Sequence, residues 1–281
     1  MMDSHCIYNG HVISLYEPAI SFSNRAFRYG DSVFESIRFT NGKIMFLADH
    51  VKRIKLSMTT LRMNVPAEFT TGNIEALILH LLEQNNIKQD ARIRLTVFRN
   101  EGGFYTPDTN DISFLIESEA LETTGYQLNQ KGLWVDVYAE IKKQINKISN
   151  LKTGSALLYV MAGITKTSLK LDDCLLVNDN GNIIESISSN IFVVKNGTLY
   201  TSPIADGCID GVMRKQILDI AAQNKILTFE QTLTVHTLTN GDEVFLTNAI
   251  KGIQWVGQFK NKFYTNQKSV FFTEKLNALA K

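Results

Sequence analysis

The stretch ESISSNIFVVKNGTLYTSP, Glu185 to Pro203, sets one carboxylate, Glu185, beside Ser186, Ser188, Ser189 and Asn190, with apolar strand-like runs around them. A strand that only fills a core gains nothing from such a cluster, because each buried hydroxyl or amide costs about 1 to 3 kcal/mol unless something bonds to it. The cluster therefore either pairs with itself or faces a ligand. A little further on, IDGVMRKQIL places Gly211 where a helix opens, and the free N–H groups and dipole of a helix start bind anions without any special side chain. Upstream lies the densest basic run, KKQINKISNLK from Lys142 to Lys152, which on composition alone reads as a solvated loop. There is no Walker loop, no GxGxxG after a strand, no HExxH, no CxxC and no GxSxG elbow. The five histidines and three cysteines are scattered, which argues against a dedicated zinc site.

The elements that must position these residues can be read from periodicity. In MFLADHVKRIKLSMTTLRM, Leu47, Val51, Ile54, Met58 and Leu61 recur at helical steps, with His50, Arg53 and Ser57 as a second stripe beside them. A second helix is expected in NIEALILHLLEQNN, followed by a strand in which Ile93, Leu95 and Val97 alternate with Arg94, Thr96 and Phe98 until EGG breaks it. The second half reads as hairpins: DCLLV, a turn at NDNGN, the opening stretch, a turn at Asn196-Gly197, and TLYTSP. A helix then carries Val212, Ile217, Ile220 and Ala221 on its apolar side, and DEVFLTNAIKGIQWV supplies another strand and loop. With 281 residues, two lobes are expected: a smaller α/β domain over 1–117, a linker over 118–126 and a larger domain over 127–281.

Composition is that of a globular protein, 44% hydrophobic and 20% charged, and the formal charge of +1 offers no footprint for nucleic acid or an anionic membrane. The start, MMDSHCIYNG, lacks the basic and apolar regions of an export signal, and three unpatterned cysteines suit a reducing compartment, so a cytoplasmic location is expected.

Glu185, then Asn190 and Phe192, Leu199 and Thr201, and Ile209, Gly211, Val212 and Arg214 form a long gapped pattern. That pattern resembles the signature of the class IV aminotransferases, the pyridoxal-phosphate enzymes of fold type IV. The family includes branched-chain aminotransferases, D-amino acid aminotransferases and 4-amino-4-deoxychorismate lyases. RAFRYGDSVFESIR, Arg25 to Arg38, and HVKRI, His50 to Ile54, resemble its first-domain motifs, so the likeness spans most of the chain. The resemblance implies a mixed α/β architecture of the α+β type in two domains, with the cofactor in the cleft between them and a homodimer as the assembly.

It also implies roles. Lys152, in SNLKTGSALLYVMAG, matches the family's lysine, which holds pyridoxal 5'-phosphate as an internal imine; it stands 33 residues before Glu185 (185 minus 152), and Lys142, Lys143 and Lys147 lack its context. Glu185 would meet the pyridine nitrogen, with Ser188, Ser189 and Asn190 holding the ring's surroundings, and Ile209 would pack on the ring. The amides of Val212 and Met213 after Gly211 would point at the phosphate, and Arg53 would complete that site with a charged fork.

Tyr29, Phe34 and Arg38 are implied in the substrate pocket, while Arg94 and Arg99 are alternative carboxylate binders and Tyr105 belongs to the loop after their strand. The leading expectation is an aminotransferase moving an amino group between a small or medium amino acid, branched-chain included, and a 2-keto acid. The alternatives are a 4-amino-4-deoxychorismate lyase releasing pyruvate and a non-catalytic pyridoxal-phosphate-binding protein.

Overall fold

A computed structural model describes residues 4–16 and 20–280, so Met1 to Asp3 of the amino-terminal stretch read above lie outside the described residues. The chain divides into two compact units, the first running through Gly125 and taking in Leu151–Ser155, the second comprising Tyr126–Asn150 and Ala156–Lys281.

In the first unit, β1 (His5–Tyr8), β2 (His11–Ser14), β3 (Ser32–Thr40), β4 (Lys43–Ile44), β5 (Ala91–Arg99) and β6 (Ile112–Ala120) form one sheet in the order β2-β1-β6-β5-β3-β4. Every pairing in it is antiparallel. A short helix α1 (Arg25–Tyr29) precedes β3, and α2 (Leu47–Thr60) and α3 (Thr71–Gln84) follow β4. The helical stripe read from the sequence is the buried face of α2: Leu47, Val51, Ile54 and Met58 pack with Ile74 and Ile78 of α3 on Ile37, Ile93, Leu95 and Val97 of the sheet. The period of two in β3 and β5 puts those residues on the helix side and sends Phe34, Ser36, Arg94 and Thr96 to the other face. Thr70 starts α3 by accepting the Asn73 N–H at 3.2 Å.

The expected linker begins inside regular structure, because β6 runs to Ala120 in full register with β5. Leu151–Ser155, assigned by sequence to the larger domain, group with the first unit because they pair with β3 through Val33 and Thr153.

The second unit is built from β7 (Leu133–Lys143), α4 (Leu157–Ser168), β8 (Asp173–Asn178), β9 (Ile183–Ser186), β10 (Asn190–Lys195), β11 (Thr198–Thr201), α5 (Val212–Gln223), β12 (Thr228–Glu230), α6 (Val235–Thr239), β13 (Glu243–Asn248), β14 (Gly252–Phe259), β15 (Lys262–Phe263) and α7 (Gln267–Leu279). Its nine-stranded sheet runs β12-β11-β10-β13-β14-β7-β8-β9, with β15 on β14, and β9 pairs back onto β10. The strands from β10 round to β9 thus close on themselves, and the closing pair is Asn190 with Glu185. Val135, Leu175, Ile183, Ile191, Val193, Val244, Leu246 and Val256 fill the core of this ring. On the opposite side, Phe192 stacks on Phe245 at 5.2 Å, and Phe245 meets Phe272 of α7 at 5.8 Å. Asn196 and Gly197 both take positive φ, 51° and 76°, which suits the two-residue hairpin joining β10 to β11.

Candidate active site

In the second unit, Glu185 lies in β9, one residue before its end, at the seam of the closed sheet and is 2% exposed. Its Oε1 accepts from Lys143 Nζ at 2.6 Å and from the Tyr159 hydroxyl at 2.9 Å, and its Oε2 accepts from the Ile209 N–H at 2.7 Å. Burial, and then the Glu185 charge, push the Tyr159 phenol up in pKa, so it stays a protonated donor. The same two causes push the buried Cys208 thiol up to about 12, which leaves it no nucleophile at neutral pH. Asn190 Nδ2 donates to the Ile209 carbonyl at 2.8 Å, so Ile209 is fixed at both ends of its peptide.

The remaining members of the polar cluster are partly satisfied among themselves. Ser186 donates to Asp173 at 3.0 Å, and Ser189 accepts from Asn248 at 2.9 Å. Ser188, expected to support a bound ring, is exposed in the turn between β9 and β10, away from the buried row.

Gly211 precedes the first turn of α5 and gives it no side-chain cap. The approach is close: a Cβ on Gly211 would lie 1.9 Å from Asn190 Oδ1, so only glycine fits there. Val212 and Met213, which open the helix, are buried, and Arg214 is held by the Ser202 carbonyl at 2.9 Å and by Glu230 at 2.5 Å. Thr247, the cross-strand neighbour of Asn190, buries a hydroxyl that has no partner among the described residues.

In the first unit, Lys152 is placed by main-chain pairing with the start of β3: its carbonyl accepts the Phe34 N–H at 2.9 Å, and the Gly154 N–H donates to Ser32 at 2.9 Å. A Cβ on Gly154 would meet Ser32 Oγ at 2.2 Å, so a larger residue there would turn that hydroxyl aside. The Lys152 ammonium lies 4.3 Å from the centroid of the Phe34 ring, and the Arg94 guanidinium lies 3.9 Å from the same ring. Tyr29 packs against Tyr105 at 5.5 Å, in front of a loop that Arg25 holds by donating to the carbonyls of Gly102 and Phe104 at 2.9 and 2.7 Å.

The other candidate arginines, Arg53, Arg38 and Arg99, are engaged within the unit. Arg53 forks onto Glu35 at 2.7 and 2.5 Å, and His50 Nδ1 meets the same carboxylate at 2.7 Å. Burial alone would raise the Glu35 pKa; Arg53 and then His50 outweigh it and hold the carboxyl down at about 2. Arg38, expected beside a substrate, is buried against Asp90 and the Thr123 carbonyl at 2.5 and 2.7 Å. Arg99 is likewise spent, on Asp31 at 2.9 Å, on Asn110 and on the Leu61 carbonyl at 2.8 Å. Of the three candidate substrate arginines, Arg94 alone has, among the described residues, only ring and charge neighbours for its side chain: Phe34, Glu117 and Arg92.

A family model described as amino-transferase class IV matches residues 32–259. The chain belongs to the class IV aminotransferases. A probable branched-chain-amino-acid aminotransferase of Rickettsia typhi is 31% identical, covering 88% of this chain and 84% of that protein. A D-alanine aminotransferase of Bacillus licheniformis is 25% identical over 86% of this chain and 83% of its own. The branched-chain amino acid aminotransferase from Escherichia coli superposes with a TM-score of 0.89 at 21% identity, covering 99% of this chain and 95% of that one, which fixes the fold.

In this class IV aminotransferase the structure brings Glu185, Asn190, Ile209 and Gly211, which leads into Val212 and Met213, together in the second unit and Lys152, Phe34 and Arg94 together in the first, where the sequence had assigned them to one site. Residue reading missed Lys143, Tyr159 and Glu35. The second stripe on α2 was a signal for Glu35, since His50 and Arg53 on one buried edge require an acidic partner.

Proposed function

We propose that the chain is a pyridoxal 5'-phosphate-dependent aminotransferase that moves an amino group between a small or medium amino acid, branched-chain residues included, and a 2-keto acid. The residues present fit that cofactor. The uncapped first turn of α5, pressed onto Asn190 at Gly211, with an unpartnered hydroxyl on Thr247, the cross-strand neighbour of Asn190, suits a phosphate. The Glu185 carboxylate suits the N–H of a protonated ring nitrogen, because Oε2 carries a single donor. Bound pyridoxal 5'-phosphate supplies an aldehyde that takes up amino groups and a ring that withdraws electrons. Lys152 would hold the aldehyde and move the substrate α-proton, Glu185 would keep the ring proton in place, and the Val212 and Met213 amides would bind the phosphate. Arg53 adds its cation already neutralised by Glu35.

The observation that carries the reading is the buried Glu185 carboxylate, fixed by Lys143, Tyr159 and the Ile209 amide yet with acceptor capacity left on Oε2. Arg94 is the proposed ligand for a substrate carboxylate, with Tyr29, Phe34 and Tyr105 around it. A second copy of the chain is the proposed partner, supported by Leu157, Val160, Met161 and Ile164, which set an exposed apolar stripe along α4. A reducing, cytoplasmic location fits three cysteines of which none forms a disulfide. Among the described residues no helix is long and apolar enough to cross a membrane.

The test is a half-reaction. The holoprotein is mixed with single amino acids in turn, and formation of the matching keto acid is measured against loss of the cofactor's aldehyde absorbance. One keto acid per cofactor, reversed by adding a 2-keto acid, is expected. Pyruvate released from aminodeoxychorismate without any keto-acid acceptor would replace the aminotransferase by the lyase.

A further inference from the structure

We propose that Lys143 is a positioning residue for the cofactor's ring, facing the Glu185 carboxylate with a matching charge and fixing its direction before any ligand arrives; this rests on the function proposed above. Sequence context gave Lys143 no role beyond a basic, solvated run. In the structure its side chain is 11% exposed and its ammonium lies 2.6 Å from Glu185 Oε1. It also lies 5.6 Å from the centroid of the Tyr159 ring, so ammonium, phenol and carboxylate form one compact group.

The backbone makes this contact by an irregularity. Tyr138 of β7 pairs with Leu176 of β8, and the next pair is Lys143 with Asn178, so five steps on β7 (143 minus 138) cover two on β8 (178 minus 176). Unbroken register would have set Glu140 opposite Asn178. The excess residues replace an acid with a base beside a buried glutamate, and Glu140 is exposed instead.

The electrostatic consequence is specific. A carboxylate that is 2% exposed needs a matching charge, and Lys143 supplies it from within the same unit. Because Lys143 and Tyr159 both sit on Oε1, Oε2 is the oxygen with room for a further donor, and the Ile209 amide fixes its direction. The ring N–H then meets an oriented acceptor whose charge is already balanced.

The test titrates the full chain, stripped of cofactor, with pyridoxamine 5'-phosphate and follows tryptophan quenching. Lys143→Met is expected to weaken binding roughly tenfold, and Lys143→Arg to restore it to within about threefold, as loss and rescue of a charged hydrogen bond would. In a Glu185→Gln background, Lys143→Met should add less than about twofold, because the partner charge has gone. That double variant has no unmatched charge, so it keeps the test open if Lys143→Met alone does not fold.

Binding by Lys143→Met equal to that of the unsubstituted chain overturns the proposal, as does a tenfold loss that persists in the Glu185→Gln background. An unsubstituted chain that does not bind the probe at all overturns the cofactor reading itself.

Discussion

Among the described residues the first unit buries Glu35 and the second buries Glu185 and Glu243, and Glu35 and Glu185, each beside a side-chain cation, are satisfied in different ways. Glu35 in the first unit faces a guanidinium fork and an imidazole, which occupy both of its oxygens with charged or chargeable donors on α2. Glu185 in the second unit meets one ammonium, one phenol and one main-chain amide, with two donors on Oε1 and one on Oε2. The first arrangement locks α2 to β3 and fixes Arg53. The second ties a carboxylate to the main chain at Ile209, just ahead of α5. Burial of an acid is therefore no guide to function by itself: each carboxylate has two donors on one oxygen and one on the other, and the difference lies in the donors, two cationic or chargeable side chains of α2 around Glu35 against an ammonium, a phenol and a main-chain amide around Glu185.

The strongest way to break this contrast is to remove the charge of the anchor. Glu35→Gln leaves Arg53 and His50 buried without their carboxylate and is expected to cost about 3 kcal/mol, read as a lower denaturant midpoint at unchanged slope. A midpoint within about 0.5 kcal/mol of the parent would show that Glu35 anchors nothing.

The same contrast has a pH signature. The Glu35 carboxyl is held at about 2 in the fold against an ordinary 4.5. Its contribution is therefore complete above pH 4.5 and is lost as the pH falls towards 2. Stability of the parent should decline through that window, and the decline should be shallower in Glu35→Gln by up to about 3 kcal/mol. Equal declines in the two proteins would contradict the assignment.

Glu185→Gln tests the other side. Turnover is expected to fall about 100-fold, equivalent to about 2.7 kcal/mol, with cofactor still bound and a smaller loss of fold stability than Glu35→Gln. Unchanged turnover would make Glu185 a second anchor and erase the comparison. The smallest effect is expected at Arg94, which lies on the same ring as Lys152: Arg94→Gln should raise KM for the amino acid about tenfold with little change in kcat. A fall in kcat at constant KM would move Arg94 from substrate binding to the chemical step.

Much of the scaffold was legible because it depends on local period. The α2 stripe, the alternation in β5 and the Asn196-Gly197 turn are each set by neighbours a few residues away, and the structure places them as read. The arginines were not legible, because their partners are distant along the chain: Asp90 lies 52 residues from Arg38, Asp31 lies 68 from Arg99, and Glu35 lies 18 from Arg53. An arginine that satisfies a remote carboxylate looks in sequence like one that awaits a substrate. Lys143 was hidden for a related reason, since an irregular pairing of β7 with β8, invisible to any alternation rule, decides which of its side chains reaches Glu185. Ser188 was grouped with the buried cluster by adjacency in sequence, whereas the turn after β9 exposes it.

The central claim is that Lys152, placed by its pairing with β3, is the amine that carries the cofactor. The most direct measurement is borohydride reduction of the protein reconstituted with pyridoxal 5'-phosphate, followed by digestion and mass mapping of the labelled lysine. The account predicts one phosphopyridoxyl group per chain, on Lys152, and none in Lys152→Ala. A label on Lys143, or stoichiometric labelling that survives Lys152→Ala, would contradict it.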